Sequence, residues 1–299
     1  MCATTSKIFS FMDEETFEHL MKKDAGFGLN PPSSYQMILS LGKTSLESAV
    51  FDPSKKKFIA FLQHQIRNTS GKQEYFDRLK HIIIGEELLN LSYKSTSVIW
   101  QTQCATLVPM PLYDEQERKT YLQFNQMTDP DDVIYADKMQ NADAYNIFAV
   151  PSQLMPVVEF LHPQIHNHAS VFIESLLLTK RHSIEPMQVF VNVHSGFFDM
   201  VVIHDRKLRF SNSFAYATAE DFIYFVLFVF EQLKLLPEKN HVVLSGEIVK
   251  DSAIFEILYK YIRNISFAEP ISEVANSYIL QDIAAYQTQN LFNTILCEL

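Results

Sequence analysis

The sequence predicts an α/β protein made of two similar halves. Two segments, residues 35–66 and 187–214, each alternate apolar and polar residues over three strands joined by short turns. Each segment is followed by a long helix and then by a short apolar strand. With 299 residues, 47% of them hydrophobic, the chain is long enough for two domains with real cores.

The two three-stranded segments align with each other. Residues 37–42 run alongside residues 189–194, an offset of 152 positions. After the second turn the offset drops to 150, which places Phe58 beside Leu208. Surface turns tolerate such small changes of length. A repeat of half the chain therefore predicts two similar domains that face each other, and not a solenoid of stacked units of about 20 to 50 residues.

The first half is predicted to contain an arm and one domain. In the arm, residues 1–34, Asp13 caps a predicted helix at residues 14–23. The domain, residues 35–183, begins with strands at residues 35–41, 45–51 and 57–66. Apolar residues at helical spacing and the placement of Pro151 predict the helices that follow. These helices lie at residues 73–91, 115–127, 151–161 and 171–181, and further strands lie at residues 96–102, 133–138, 145–150 and 165–170.

The second domain, residues 184–299, is predicted to repeat this plan. After its three strands, a helix at residues 220–235 is apolar almost all round, so we expect it to be buried between layers. A strand at residues 241–245, a helix at 252–263 and a strand at 265–268 follow. Residues 272–296 are predicted to form one long helix or two.

Charge and hydropathy limit the partners and the location. The net charge of -10, with a pI of about 5.5, disfavours nucleic acid and anionic membranes as partners. The longest apolar runs, such as residues 222–230, are roughly half of the 20 or so residues that a membrane span needs. The N-terminus has no signal-peptide pattern. We therefore expect a cytoplasmic protein whose partner is another protein or a second copy of itself.

Cysteine and glycine usage excludes several kinds of site. The three cysteines, Cys2, Cys104 and Cys297, are widely spaced and predict free thiols, with neither a disulfide framework nor a zinc site. The chain has only 7 glycines. Neither of the glycine-rich loops that cradle phosphates, GxGxxG and GxxxxGK[ST], occurs.

The order of elements carries a resemblance to known folds. Three strands, a helix, a strand, a helix and a strand resemble the ribonuclease-H-like unit, and two such units in tandem resemble the actin-like ATPase superfamily. More narrowly, the stretches CATLVPMPLYDEQERKTYLQFN and HVVLSGEI resemble the bacterial domain-of-unknown-function family numbered 3822. The resemblance implies two tandem ribonuclease-H-like domains, each a mixed sheet with an antiparallel three-stranded meander flanked by helices. It implies no established activity.

The resemblance implies that residues for metal and phosphate binding would lie at the end of the first strand of each half. Actin-like ATPases carry a D-x-G pattern there, in which the carboxylate orders a metal and the turn binds phosphate. This chain has Ser40 before Gly42 in the first half, and Asn192 before His194 in the second. A neutral side chain holds Mg²⁺ poorly, so phosphoryl transfer should be lost or greatly weakened. The Gly42 turn, with Lys43, either binds an anion or is an ordinary hairpin turn.

A possible nucleotide site is confined to a few positions. The superfamily contacts adenosine through a strand, a glycine pair and a helix, and residues 242–247 look similar, but Glu247 replaces the second glycine. If a nucleotide such as ATP binds at all, the candidate residues are Gly42, Lys43, Thr44, Asn192, His194, Ser245 and Gly246. The alternative is a plain strand-to-helix turn.

Other catalytic and metal motifs are weak. His162, His166 and His168 could bind a metal with Glu159 or Glu174, or they are ordinary histidines beside a loop. A ribonuclease-H-type nuclease would need several carboxylates at the first strands, where none occurs, and His204-Asp205 lies at a distal turn. Ser195-Gly196 has no GxSxG context and is read as a hairpin turn.

The sequence predicts a protein that binds a partner or serves as a scaffold and that has an actin-like fold with a degenerate nucleotide site. We expect it to be a pseudo-enzyme without catalytic residues, resident metal or cofactor. The alternative is an atypical ATP-binding protein or kinase that uses the interdomain cleft, where such folds place ligands. A second and weaker alternative is a metal-dependent nuclease.

Overall fold

The computed structural model of the protein describes residues 19–28, 30–66, 69, 71–183, 185, 187–297 and 299. The strands are β1 (His19–Lys23), β2 (Gln36–Leu41), β3 (Ser45–Asp52), β4 (Lys57–Gln65), β5 (Ser95–Trp100), β6 (Ala105–Pro109), β7 (Val133–Met139), β8 (Ala144–Val150), β9 (Gln164–Asn167), β10 (Met187–His194), β11 (Phe197–His204), β12 (Lys207–Ala215), β13 (His241–Gly246) and β14 (Asn264–Phe267).

The α-helices are α1 (Lys72–Gly85), α2 (Arg118–Asn125), α3 (Met155–Val158), α4 (His168–Thr179), α5 (Ala219–Gln232), α6 (Ala253–Tyr261), α7 (Ser272–Ala275) and α8 (Gln289–Asn293). Short 3-10 turns lie at Pro32–Ser34, Glu87–Asn90, Met110–Leu112, Glu115–Glu117, Ser152–Leu154, Glu159–Leu161, Tyr278–Leu280 and Thr294–Leu296. None of these helices is long and apolar enough to cross a membrane, as judged over the described residues.

Two large sheets share one topology. In the described ranges, one sheet has the order β1-β4-β3-β2-β5-β9 and the other has the order β12-β11-β10-β13-β14. Without β1, both orders are a three-stranded antiparallel meander followed by two strands parallel to its first strand. A third sheet, β6-β8-β7, is inserted between β5 and β9. The predicted two-fold repeat of a ribonuclease-H-like sheet is thus confirmed.

The repeat extends to an irregularity in the strand register. In the first meander the register shifts between Val50 and Phe51, where β3 meets β4. In the second it shifts between Val202 and Ile203, where β11 meets β12. These positions differ by the 152 residues that relate the two segments. The repeat therefore includes a local irregularity of the backbone as well as the order of strands.

Helix α4 lies between the two halves and is buried along nearly its whole length. Its apolar residues pack in one cluster with side chains of the second sheet, for example Phe172 and Leu176 with Phe190 and Val201. On the first sheet, α1 and α3 cover one face. On the second sheet, α5 and α6 cover the face opposite to α4. Each half therefore has its own core, and α4 joins them.

The C-terminal segment, predicted as one long helix or two over residues 272–296, contains no long helix among its described residues. It forms the short helices α7 and α8 with 3-10 turns between and after them. Phe292 of α8 is fully buried against Phe58 and Phe61 of β4, with ring centroids 4.8 and 6.0 Å apart. The apolar residues of this segment are buried by the first sheet and not by a regular helix face, so helical spacing was a poor guide.

The start of the described chain also differs from prediction. Residues 19–23 of the predicted helix at 14–23 form β1, which pairs with β4, and residues 14–18 lie outside the described residues. Pairing with an open sheet edge outweighs the local helix propensity.

The predicted strand at residues 165–170 ends at Asn167. The Asn167 side chain accepts the Ala169 N–H and so caps the start of α4. The arm and domain boundaries stay a prediction.

Candidate functional site

The two turns that would hold phosphate in an actin-like ATPase lie against each other. The Lys43 ammonium is 3.9 Å from the position that a Cβ atom would take at Gly196. Next to it, the Thr44 hydroxyl donates to the carboxylate of Glu247 at 3.1 Å. The predicted candidates of both halves are therefore brought to one junction between the sheets.

The space between the turns is filled by side chains. A Cβ atom at Gly42 would lie 2.5 Å from Oε1 of Gln101. The cavity that remains has a volume of about 20 Å³, enough for one water molecule, whereas ligand pockets usually measure about 300–1,000 Å³. It is lined by Ser40, Ser45, Glu47, Gln101, Asn192, Val193, His194, Gly246, Glu247, Gln287, Thr288, Asn290 and Leu291.

A row of polar side chains crosses four adjacent strands of the second sheet. Asn192 on β10 is in register with Asp199 on β11 and with Ser245 on β13. Asp199 is in turn in register with Ser213 on β12. The Ser245 hydroxyl donates to Oδ1 of Asn192 at 3.0 Å, and the Ser213 hydroxyl donates to Oδ1 of Asp199 at 2.5 Å. The duplicated first strand thus ends in a hydrogen-bonded polar row.

Two histidines converge on Asp199 from different parts of the chain. Nε2 of His168, the first residue of α4, lies 2.7 Å from Oδ2 of Asp199. Nε2 of His194, at the end of β10, lies 3.0 Å from the same oxygen. All three residues are buried. Nδ1 of His194 lies 3.3 Å from Oε1 of Gln101, whose amide donates to the Ser40 hydroxyl, so the network spans both sheets.

The hydrogen bonds of His168 decide what this cluster can do. The backbone N–H of Thr102 can only donate, and it lies 3.3 Å from Nδ1 of His168. Nδ1 must therefore accept, and Nε2 carries the proton that is donated to Asp199. A metal ion would need the lone pair of Nε2, which is not free in this tautomer. The arrangement of His168, His194 and Asp199 fits a structural hydrogen-bond network and not a metal site.

The electrostatics of the cluster agree with this role. Burial disfavours the charged form of Asp199, but its contacts with His168 and then His194 outweigh burial and lower the pKa of the carboxyl. Burial and the neighbouring His168 lower the pKa of His194. The cluster therefore holds a carboxylate that accepts the His168 N–H, beside a neutral His194 whose single N–H can serve only one of its two neighbouring acceptors, Gln101 and Asp199.

Glu47, the acid at the equivalent position of the first half, differs from Asp199 in its protonation. Glu47 on β3 is in register with Ser40, and it accepts a hydrogen bond from Gln63 at 2.9 Å. Burial, followed by the negative charge of Glu247, raises the pKa of Glu47 to about 8. Glu47 is therefore largely protonated at neutral pH, and a protonated carboxyl is a poor ligand for Mg²⁺.

The segment that resembles the adenosine-binding strand is closed by the chain itself. Gly246 has a φ of +86°, and a Cβ atom there would lie 2.1 Å from the carbonyl oxygen of Val193. Its N–H donates to the carbonyl of Tyr286 in the C-terminal segment at 2.7 Å. The N–H of Glu247 donates to Val193 at 2.8 Å. The donors that could face a ribose or phosphate are thus used within the protein.

The three histidines that the sequence offers either as possible metal ligands or as ordinary histidines beside a loop do not converge on one point. Nδ1 of His166 lies 2.9 Å from Asp137, whereas His168 contacts Asp199 and His162 ends a 3-10 turn in the left-handed region. Glu174, a suggested ligand, accepts the backbone N–H groups of residues 141 and 142 at the β7–β8 turn. The three histidines are close in sequence, but a strand end and a helix start send them to different partners.

The most important residues that sequence reasoning missed are Asp199, Gln101 and Glu47; His168 was named there only as a possible metal ligand. The sequence contains a signal for Asp199, because a two-residue turn at Ser195-Gly196 places residue 199 opposite residue 192. Nothing in the sequence points to Gln101 or to the contact of His168 with Asp199, since packing of the two halves alone brings them to the junction. The exposed pair His204 and Asp205 stays at the distal turn, away from this cluster, as expected.

Comparison with known proteins agrees with this architecture. A protein of unknown function with an actin-like ATPase fold from Bacteroides thetaiotaomicron VPI-5482 is similar with a TM-score of 0.77 and 16% identity, over 89% of this chain and 97% of that chain. The PilM–PilN type IV pilus biogenesis complex gives a TM-score of 0.56 and 15% identity, over 89% and 97%. No curated protein matches. Residues 24–265 match the family described as protein of unknown function (DUF3822). The chain therefore belongs to the DUF3822 family and has the actin-like ATPase fold.

Proposed function

We propose that this protein is a cytoplasmic, non-catalytic member of the actin-like fold that binds a protein partner or serves as an assembly scaffold. The observation that carries the proposal is the filled junction between the two turns, where about 20 Å³ remains. A nucleotide cannot enter there unless Gln101 and His194 move. That movement would break the hydrogen bonds that link the two halves.

The protonation and hydrogen bonding of Asp199 and Glu47 support the same conclusion. Ser40 and Asn192 stand where an actin-like ATPase has carboxylates. The nearest acids lie one strand away and are not available to a metal. Asp199 is shared by two histidines, and the raised pKa of Glu47 keeps that side chain largely protonated. Neither in-register acid offers Mg²⁺ an ionised and unshared carboxylate, and Glu247, the remaining acid of the junction, accepts a hydrogen bond from Thr44.

The likeness to PilM supports binding of a protein. PilM, which has a similar fold, occurs in a complex with PilN. An actin-like domain without a working nucleotide site can still present large surfaces to a partner or to a second copy, which is the role we propose for this chain.

A second candidate is an atypical nucleotide-binding protein. The observation that favours it is an open cavity of about 360 Å³ beside the first turn, lined by Lys43, Tyr75, Phe76, Trp100 and Gln101 among others. Its aromatic walls could stack on a base, and Lys43 could pair with phosphate. Such a site would lie on the first half alone and not between the two halves.

A thermal-shift titration with ATP and ADP, each with and without Mg²⁺, distinguishes the two candidates. We expect no change in melting temperature up to millimolar nucleotide, while an actin-like ATPase treated in parallel shows a rise. A rise that grows with nucleotide concentration would overturn the non-binding proposal. Loss of that rise in Lys43→Ala would place the nucleotide in the cavity beside the first turn.

A further inference from the structure

A second cluster of histidine and carboxylate lies at the edge of the first sheet. His19 on β1 and His64 on β4 are direct partners in the antiparallel register. Their ring centroids are 4.5 Å apart and their planes are inclined by 34°. Directly opposed residues of neighbouring strands have Cβ atoms about 4.5–5.5 Å apart, so the strand pairing itself holds the two imidazoles side by side.

Glu86 supplies a carboxylate to the same point. It is the residue that ends α1, and its backbone N–H is tied to the carbonyl of Ile82 at 3.0 Å. Its Oε1 lies 2.7 Å from Nε2 of His64 and 3.4 Å from Nε2 of His19. The three ligand atoms all lie within 4.8 Å of one another. Three separate elements, β1, β4 and the end of α1, thus direct their ligand atoms to one place.

The distances suit a small transition metal. With metal–nitrogen bonds of about 2.0–2.1 Å in a tetrahedron, neighbouring ligand atoms are roughly 3.4 Å apart. The two contacts of Glu86 lie at and below this value, so a metal ion would replace the hydrogen bond between His64 and Glu86. Two imidazoles and one carboxylate are ligands that Zn²⁺, Co²⁺ and Ni²⁺ accept, whereas Mg²⁺ and Ca²⁺ prefer oxygen ligands.

The cluster is also accessible, unlike the buried cluster around Asp199. The side chain of His19 is 45% exposed, while those of His64 and Glu86 are 15% and 18% exposed. A metal ion can therefore enter from solvent, and a water molecule can complete the coordination. The partly buried pair would hold the ion in place from the protein side.

We propose that His19, His64 and Glu86 form a surface site for a divalent transition metal of the Zn²⁺, Co²⁺ and Ni²⁺ class. A metal bound there ties the edge strand β1 to β4 and to the end of α1. It stabilises the folded state by mass action, because the three ligands come together only in the folded chain.

The test uses the full-length protein without an affinity tag, stripped of metal by a chelator. Titration with Co²⁺ should give one equivalent of visible ligand-field absorption, and Zn²⁺ should raise the melting temperature. His19→Ala and Glu86→Gln should each weaken binding by at least the roughly 10- to 100-fold that loss of an outer-shell partner costs. His81→Ala, which removes an exposed histidine of α1 outside the cluster, should bind as the wild type does.

The His19 and Glu86 variants change a half-exposed edge side chain and a nearly isosteric group, so both should fold, and circular dichroism verifies this. Absence of the Co²⁺ spectrum in folded wild-type protein would overturn the site. Undiminished affinity in His19→Ala, or an equal loss in His81→Ala, would also overturn it, because the metal would then bind elsewhere.

Discussion

Glu47 and Asp199 occupy equivalent positions of the duplicated meander, and their carboxyl groups are in opposite states. Each lies on the second strand, opposite Ser40 or Asn192, and each accepts a hydrogen bond from the third strand. Asp199 has two histidine partners, which lower its pKa. Glu47 faces Glu247, and its pKa is raised to about 8. One acid is now a structural anion, and the other is largely protonated at neutral pH.

The Asp199 cluster should be a major source of stability. Asp199→Ala removes the acceptor of a fully buried His168 N–H, and we expect a loss of about 1–3 kcal/mol in the free energy of unfolding. Asp199→Asn should cost less, because its amide oxygen can still accept that N–H. Urea unfolding measures both, with Asp131→Ala as an exposed control that should change stability by at most about 0.5 kcal/mol. A loss below about 1 kcal/mol for Asp199→Ala would contradict the role of the cluster.

Glu47 should make the protein less stable as the pH rises. The folded pKa of about 8 lies above the usual value of 4.5, so between these pH values the folded state binds more protons than the unfolded state. The contribution is complete below about pH 4.5 and is lost as pH rises to about 8. Glu47→Gln should therefore raise the melting temperature more at pH 8.5 than at pH 5.5. Glu231→Gln, an exposed control, should show no such difference; a parallel response of the two variants would refute the assignment.

Gly246 should not tolerate a side chain. Its φ of +86° is strained for other residues, and a Cβ atom would lie 2.1 Å from the Val193 carbonyl oxygen. We expect Gly246→Ala to cost at least about 1–3 kcal/mol of unfolding free energy. At Gly85, the last residue of α1, nothing lies within 4 Å of an added Cβ, so Gly85→Ala should be neutral or stabilising by about 0.5–1 kcal/mol. Equal effects of the two variants in chemical denaturation would count against this packing.

The C-terminal segment should be an integral part of the first core. Phe292 is 1% exposed and contacts Phe58 and Phe61. Phe292→Ala should cost about 3–5 kcal/mol and should increase cleavage of the segment in limited proteolysis. The matched control is Phe124→Ala, since Phe124 is 87% exposed and its truncation should change stability little. Unchanged proteolysis and stability in Phe292→Ala would show that the segment is only loosely attached.

Residue types and their spacing along the chain are enough to predict the duplicated meander and its class of fold. Alternation with period two sets each strand, and the 152-residue offset relates the halves even to the bulges beside Phe51 and Ile203. The sequence also shows that Ser40 and Asn192 replace the expected acids. These features are local, because they depend on residue types and spacing along one stretch of chain.

Contacts between distant elements, which the sequence does not reveal, close the junction and select the residues that fill it. His168 at the start of α4 contacts Asp199 on β11, 31 positions away, and Gln101 after β5 contacts His194, 93 positions away. Contacts over such separations leave no mark in local periodicity. The same holds for β1 and for the C-terminal segment, whose conformations are set by the sheet they pack against. Packing between distant elements outweighs local propensity wherever apolar or polar groups find partners only across the fold.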